Sequence, residues 1–331
     1  MAQKRWNIGI THLIKPPFDP EQEAFAKRAD IVYFSGRDAR EYDAAKLQRL
    51  DAMLVWTPVI DAETVAQLTQ CKILVRYGVG YDKIDRSALA QRGIAFSNNP
   101  EYGPEDVADT AMAMLLALQR RILEHDSRAR GYRDDWQENL LSPMRHSRHC
   151  SVGIVGLGRI GSSLSLRLKP FGYRVIAYDP YVSNGMYRAL GVERSASLSE
   201  LLSQVDILSM HCPLTKETRG MINDSVLAKA KPGLIFVNTA RGPLIESLDV
   251  IEKGLRTGQL AGACLDVLPE EPPADHSLIL AWRNNDDWLQ GRLLITPHNA
   301  FYSDYAFAEC RFNAAQTARM FLEDKLQRNP V

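Results

Sequence analysis

The chain has 331 residues, 45% of them hydrophobic and 24% charged, a length and balance that suit two globular domains with separate cores. Forty basic residues offset forty acidic ones, so no broad field draws in nucleic acid or an anionic membrane, and partners are to be sought in local sites. The five cysteines, Cys71, Cys150, Cys212, Cys264 and Cys310, form no CxxC pair and no metal-ligand spacing. They argue against a disulfide framework or a metal site and point to buried thiols in a reducing, cytoplasmic compartment.

The opening MAQKRWNIGITHLI lacks a long apolar core and a cleavage signal, so no secretory peptide is expected. From 7 to 97, NIGITHL, DIVYF, AMLVW, KILVRYG and GIAFSN read as strands, with EQEAFAKRA and DAETVAQLTQC as helices between them. Such alternation predicts a parallel sheet covered on both faces. PEYGP at 100–104 breaks the pattern. EDVADTAMAMLLALQRRI then reads as one long helix, acidic first and basic last, and its apolar run AMAMLLAL is too short to span a bilayer. MRHSRHC reads as a solvated basic patch before the next strand.

A second domain opens at SVGIVGLGRIG. VIAYD, VDILSMH, LIFVNTA, ACLDV and LLITP are its later strands, with SLSELLSQ and SLDVIEKGLRTG as helices. Residues 304–323 form a long helical pattern that returns the chain to the first domain. The expected architecture is two doubly wound α/β domains with parallel sheets, one (104–298) inserted into the other (1–103 plus 299–331), and a cleft between them.

GIVGLGRIG is an apolar strand running into G-x-G-x-x-G at Gly156, Gly158 and Gly161. Such a turn lets a pyrophosphate approach the backbone, and the helix that follows supplies N–H donors. Glycine-rich turns also serve purely structural ends. Here, however, a strand precedes the turn, the helical run IGSSLSLRLKPFG follows, and a second strand, RVIAYD, ends in Asp179. A carboxylate there accepts from adenosine ribose hydroxyls and repels a 2′-phosphate. NAD is therefore expected over NADP.

NTARG at 238–242 puts Arg241 at a strand's carboxyl end, where ligands gather in a doubly wound sheet. A guanidinium there can grip a carboxylate through two parallel hydrogen bonds. ACLDV brings Asp266 to the same edge, and LLITPH brings His298. A lone histidine is more often an inert, satisfied side chain; convergence with Arg241 makes this one a candidate proton donor. A carboxylate beside an imidazole favours its charged form and fixes its tautomer. Glu271 and its neighbour Glu270 both qualify, and spacing does not separate them.

Together, VRYGVGYDKID (75–85), GIVGLGRIG with Asp179, NTARG, LDVLPEEPP and TPHNAFYS resemble, in order and approximate spacing, the D-isomer-specific 2-hydroxyacid dehydrogenases over nearly the whole chain. The resemblance implies reduction of a 2-oxo acid with NADH, or the reverse, by a homodimer. It implies a Rossmann NAD-binding domain inserted into a flavodoxin-like substrate domain. Arg241, Glu271 and His298 become the implied catalytic residues. Cofactor contacts are implied for Val79, Gly156, Gly158, Arg159, Ile160, Gly161, Asp179, Cys212, Pro213, Thr218, Thr239, Ala240, Arg241, Asp266 and His298, with Asp266 orienting the nicotinamide carboxamide. Arg76, Val79, Gly80, Arg241, His298 and Phe301 are implied for the substrate, and no metal is.

Within the family, AYDPYVSNG and the aromatic pair after PHNA resemble the C-terminal-binding-protein-like branch. That implies Phe301 facing the substrate, and a 2-oxo acid with an apolar or thioether side chain; plain packing of Phe301 is the equal alternative. Phe301 stands where the branch has tryptophan, and Lys83 where asparagine is common, so both bear on substrate identity. The branch includes NAD(H)-sensing scaffolds with little turnover. A chain stopping at RNPV, without their long disordered tail, favours the enzyme. Residues 275–293, with Trp282 and Trp288, read as a satellite hydrophobic cluster.

Overall fold

The computed structural model describes residues 4–131, 136–137, 140–141 and 143–331; the first three residues of the N-terminal stretch discussed above lie outside these. Two compact units divide the chain, one of Met1–Gly103 with Ser303–Val331 and one of Pro104–Tyr302. The second unit thus extends past the expected end at 298. The physical reason is local: the N–H groups of Asn299 and Ala300 donate to the Asp266 carboxylate, tying that turn to its own sheet.

The first unit carries β1 (Trp6–Thr11), β2 (Ala29–Phe34), β3 (Ala52–Val55), β4 (Ile73–Arg76) and β5 (Ala95–Ser97). They pair in parallel in the order β2-β1-β3-β4-β5, the flavodoxin-like winding that puts a switch point between β1 and β3. AMLV of β3 is buried throughout, as a strand covered on both faces must be. The helix read over EQEAFAKRA is shorter, Asp19–Ala24. Ala26 and Lys27 are left-handed, with φ of 51° and 59°, and turn the chain into β2. The returning helix is Asp304–Asp324, capped by Ser303, whose side chain accepts from the Ala306 N–H. Arg311 on this helix pairs with fully buried Glu21 at 2.7 Å, and the Tyr77 hydroxyl donates to the same carboxylate at 3.0 Å. Burial, then the Glu21 charge, push the Tyr77 phenol well above its ordinary value.

The second unit carries β6 (Ser151–Val155), β7 (Arg174–Tyr178), β8 (Glu193–Arg194), β9 (Ile207–Met210), β10 (Leu234–Asn238), β11 (Leu260–Leu265) and β12 (Leu293–Ile295). Their parallel order is β12-β11-β10-β9-β6-β7-β8. This is the Rossmann winding with its switch point between β6 and β9. One core layer gathers Leu201, Phe236 and Ile251, the other Leu115, Leu164 and Val237. The helix expected over 105–122 ends at Gln119; Arg121 is left-handed (φ 50°) and a second helix runs Ile122–Ala129. The 275–293 segment is no satellite. Its helix Ser277–Arg283 and Leu289 belong to a main core layer, with Trp288 packed against it and the Arg256 guanidinium 3.8 Å from the Trp288 ring centre.

Among the described residues, no helix is long and apolar enough to cross a membrane. All five cysteines are free and buried. Burial pushes the Cys71 and Cys212 thiols up to about 12, which leaves them unreactive at neutral pH.

Candidate active site

At the carboxyl end of β6 the chain turns through Gly156, whose φ is +93°. A Cβ there would lie 2.6 Å from the Cys212 amide nitrogen, and one on Gly161 2.1 Å from the Gly156 carbonyl oxygen. Both positions are closed to any side chain. Gly158 differs: among the described residues its Cβ would meet nothing within 4 Å. It caps the helix Arg159–Leu168 without a side-chain cap, and the first-turn amides of Arg159 and Ile160 have no preceding turn to bond. Open space beside such a helix start suits a phosphate.

The Asp179 carboxylate, at the end of β7, accepts from the Leu157 N–H at 2.9 Å and the Tyr181 N–H at 3.0 Å. These bonds fix it beside the turn while lone pairs remain for a ribose. Thr239, after β10, has a buried hydroxyl with no partner among the described residues, as expected of a group awaiting a ligand. The Thr218 hydroxyl is already engaged, donating to the Pro213 carbonyl at 2.7 Å and accepting from the Thr215 N–H; it closes the loop after β9. Cys212 contributes its backbone, pressed against Gly156. These residues fit a dinucleotide.

β10, β11 and β12 are neighbours, so their carboxyl ends bring together Arg241, Asp266 and His298. Asn238 folds the Arg241 turn: its side chain accepts from the Ala240 N–H at 3.0 Å and donates to the Arg241 carbonyl at 2.9 Å. Gly242 lets this loop press on the next, since a Cβ there would fall 1.9 Å from the Leu268 carbonyl oxygen. Asp266 is 2% exposed and builds the histidine turn. Its Oδ1 accepts from the Thr296 hydroxyl at 2.6 Å and the Asn299 N–H at 2.9 Å, and its backbone carbonyl accepts from the His298 N–H at 2.8 Å.

His298 itself is left-handed, φ 52°, a rare conformation for a non-glycine and one that clusters at functional sites. Its Nδ1 lies 2.7 Å from Glu271 Oε2. The other Glu271 oxygen accepts from the Leu268 N–H at 3.0 Å. Glu271, rather than Glu270, is therefore the carboxylate partner. With Nδ1 carrying the shared proton, Nε2 is the nitrogen left for chemistry. Phe301 is half-buried, edge-on to Tyr302 with centroids 6.4 Å apart.

Residues 112–300 match the family described as D-isomer specific 2-hydroxyacid dehydrogenase, NAD binding domain. The chain belongs to this family. A D-3-phosphoglycerate dehydrogenase of Mycobacterium leprae is 35% identical over 300 residues, covering 90% of this chain and 54% of that protein. The chain thus spans about half the length of the curated relatives it matches. The structure of a D-lactate dehydrogenase from Aquifex aeolicus, complexed with NAD and lactic acid, superposes with a TM-score of 0.84 at 26% identity, covering 96% of both chains. A pyruvate reductase of Chlamydomonas reinhardtii gives 0.75 at 27% identity, covering 98% of both.

The NAD-binding domain of this 2-hydroxyacid dehydrogenase family member is thus the second unit, and the glycine turn, Asp179, Thr239, Arg241, Glu271 and His298 all lie on the carboxyl edge of its sheet. Arg76, Val79 and Gly80 belong to the first unit, at the carboxyl end of β4, where the Arg76 guanidinium sits 5.4 Å from the Trp56 ring centre. Asn238, Thr296 and the turn-building role of Asp266 carry no motif of their own in the sequence. An asparagine or aspartate at a strand end, beside the candidate residue, is the signal for such side-chain-to-backbone turns.

Proposed function

We propose that the chain is an NAD-dependent dehydrogenase of 2-hydroxy acids, running in reverse as a 2-oxo acid reductase. The observation that carries this reading is the 2.7 Å pairing of His298 with Glu271 on the sheet edge that also holds Arg241. NAD(H), held by the Gly156–Gly161 turn, Asp179 and the residues around Thr239, supplies the hydride in one direction and takes it in the other. In reduction, His298 gives a proton from Nε2 to the oxygen at C2; in oxidation it takes that proton back. Glu271 stabilises the charged imidazole. Arg241 grips the carboxylate and meets negative charge developing on the carbonyl oxygen with a fixed donor. Asp266 is proposed to face the carboxamide, and Arg76, Val79 and Gly80 the substrate carboxylate.

The substrate is proposed to carry an apolar side chain toward Phe301, in keeping with the C-terminal-binding-protein-like branch suggested by AYDPYVSNG. The His298–Glu271 pair on the same sheet edge as Arg241 is an arrangement suited to proton transfer, and it favours the enzyme over a scaffold without turnover. A homodimer is proposed, supported by exposed Ile122, Trp136 and Leu140 in and after the helix Ile122–Ala129; a cytoplasmic location is supported by the free thiols. The test is NADH oxidation against a panel of 2-oxo acids from glyoxylate and pyruvate to phenylpyruvate and 4-methylthio-2-oxobutyrate. Turnover of one member, lost in His298→Ala, is expected. NADH binding without turnover of any member would overturn the reading.

A further inference from the structure

We infer that Asn98 is a positioning residue for the proposed reaction: its side-chain amide fixes the loop Gly78-Val79-Gly80 so that the loop's N–H groups stay open to the substrate carboxylate. The inference rests on the 2-oxo acid reading above and deepens it.

The loop leaves the carboxyl end of β4. The Tyr77 N–H is spent on the Val55 carbonyl at 2.9 Å. Beyond it, the amides of Gly78, Val79 and Gly80 have no acceptor among the described residues. The carbonyls are in the opposite condition. Gly78 O accepts from the Asn99 N–H at 3.3 Å, and Val79 O accepts from Asn98 Nδ2 at 2.7 Å. In a trans peptide the N–H points away from the C=O. Drawing the oxygens of Gly78 and Val79 toward 98–99 therefore directs the N–H groups of Val79 and Gly80 to the other side. Successive N–H groups turned one way make a concavity for an anion. Arg76 adds positive charge beside it, because a Cβ on Gly78 would fall 2.8 Å from Arg76 Nη1.

Asn98 is held for this task. It is 8% exposed, and its own N–H donates to the Asn329 carbonyl at 3.3 Å. Neighbouring Asn99, 3% exposed, donates from Nδ2 to the Cys310 carbonyl at 2.9 Å. The backbone at 98–99 is thus anchored to the C-terminal helix and tail of the same unit, and the Asn98 amide projects from an anchored base. It acts through the Val79 carbonyl and not by touching substrate.

The test compares wild type with Asn98→Asp, which keeps the shape but removes the donor, and with Asn98→Ala. Two quantities are read: kinetics with the best 2-oxo acid, and binding of oxamate in the presence of NADH by calorimetry. Expected in both variants is a rise in KM and in the oxamate Kd of roughly tenfold, with kcat changed less. NADH affinity should stay near wild type, while melting temperature should fall slightly in Asn98→Ala and further in Asn98→Asp, which buries a charge against the Val79 carbonyl. A residue that merely supports the fold would lower melting temperature and kcat together without singling out the carboxylate ligand. Equal oxamate affinity in wild type and both variants would overturn the inference and leave the reductase reading standing. Oxamate binding that weakens in the variants, in a protein that turns over no 2-oxo acid, would support the positioning role and sink the reductase reading. Failure of wild type to bind oxamate or turn over any 2-oxo acid would overturn both.

Discussion

Nδ1 of His298 and Oε2 of Glu271 are 2.7 Å apart, on loops that follow two adjacent strands, and a positive φ at His298 holds the imidazole in that pairing. Positioned proton transfer contributes roughly 10²–10⁴-fold to rate, so His298→Ala is expected to lose about that much kcat. Glu271→Gln keeps a hydrogen-bond partner but removes the charge, and should cost about tenfold or more. Both side chains are partly exposed, at 44% and 36%, so melting temperatures should change little. Steady-state kinetics with NADH titration checks this; an unchanged kcat in Glu271→Gln would mean the pair is incidental.

Arg241 offers a second test because its chemistry is geometric. A guanidinium presents a planar fork that a carboxylate matches twice, whereas an ammonium presents a point charge. Arg241→Lys retains the charge and is nonetheless expected to lower kcat/KM by roughly 10- to 100-fold, the worth of one charge-assisted hydrogen bond. Kinetics of that variant with the preferred 2-oxo acid would decide. Wild-type values would show that charge alone is needed.

The three glycines of the turn separate structure from binding. Gly158 has φ −77° and open space where a Cβ would stand, so Gly158→Ala should fold normally yet weaken NADH binding by about tenfold or more, the methyl occupying the pyrophosphate's approach. Gly156→Ala meets the Cys212 backbone at 2.6 Å with a φ of +93° and should cost about 2 kcal/mol or more of stability. Thermal melts and NADH fluorescence titrations of the two variants give the contrast. Equal loss of stability in both would show that the space over Gly158 is not a ligand's.

Much of this arrangement was legible because it is periodic or glycine-marked. Parallel strands buried on both faces announce themselves as apolar runs, and the turn at Gly156–Gly161 leaves a fixed spacing. The loops were harder. LPEEPP offers two carboxylates, and only the fold of the 268–271 turn, with the Leu268 N–H on Glu271, selects one. Arg121 and Lys27 look like ordinary helix residues, yet both are left-handed and lie just beyond a helix end. Nothing in their side-chain chemistry marks that conformation in the sequence. Asp266 stands out in the sequence only by its address at the strand end, while its buried oxygens are mostly committed to the backbone of the His298 turn.

Buried histidine makes stability depend on pH. His211, after β9, pairs Nε2 with the Ser209 hydroxyl at 2.8 Å, and its Nδ1 is buried without a partner among the described residues. Burial pushes the imidazole down from 6.5 to about 3. The unfolded chain takes up a proton near 6.5, the folded one only near 3, so between those values the unfolded state binds more protons. Stability from a neutral His211 is complete above 6.5 and is lost progressively as pH falls toward about 3. His12, lowered by burial and then by Arg37 and Lys15, acts in the same direction. The carboxylates with lowered values, such as Asp38 at about 2, matter only further down. Between about pH 6.5 and about pH 4.5 the histidines should therefore govern the loss. Melting temperature measured across that range should fall in wild type and fall less in His211→Gln, which keeps a polar group beside Ser209 but cannot be charged. A wild-type melting temperature that stays level over the range would show that His211 finds a partner for its second nitrogen once protonated, and that its burial is relieved at little cost.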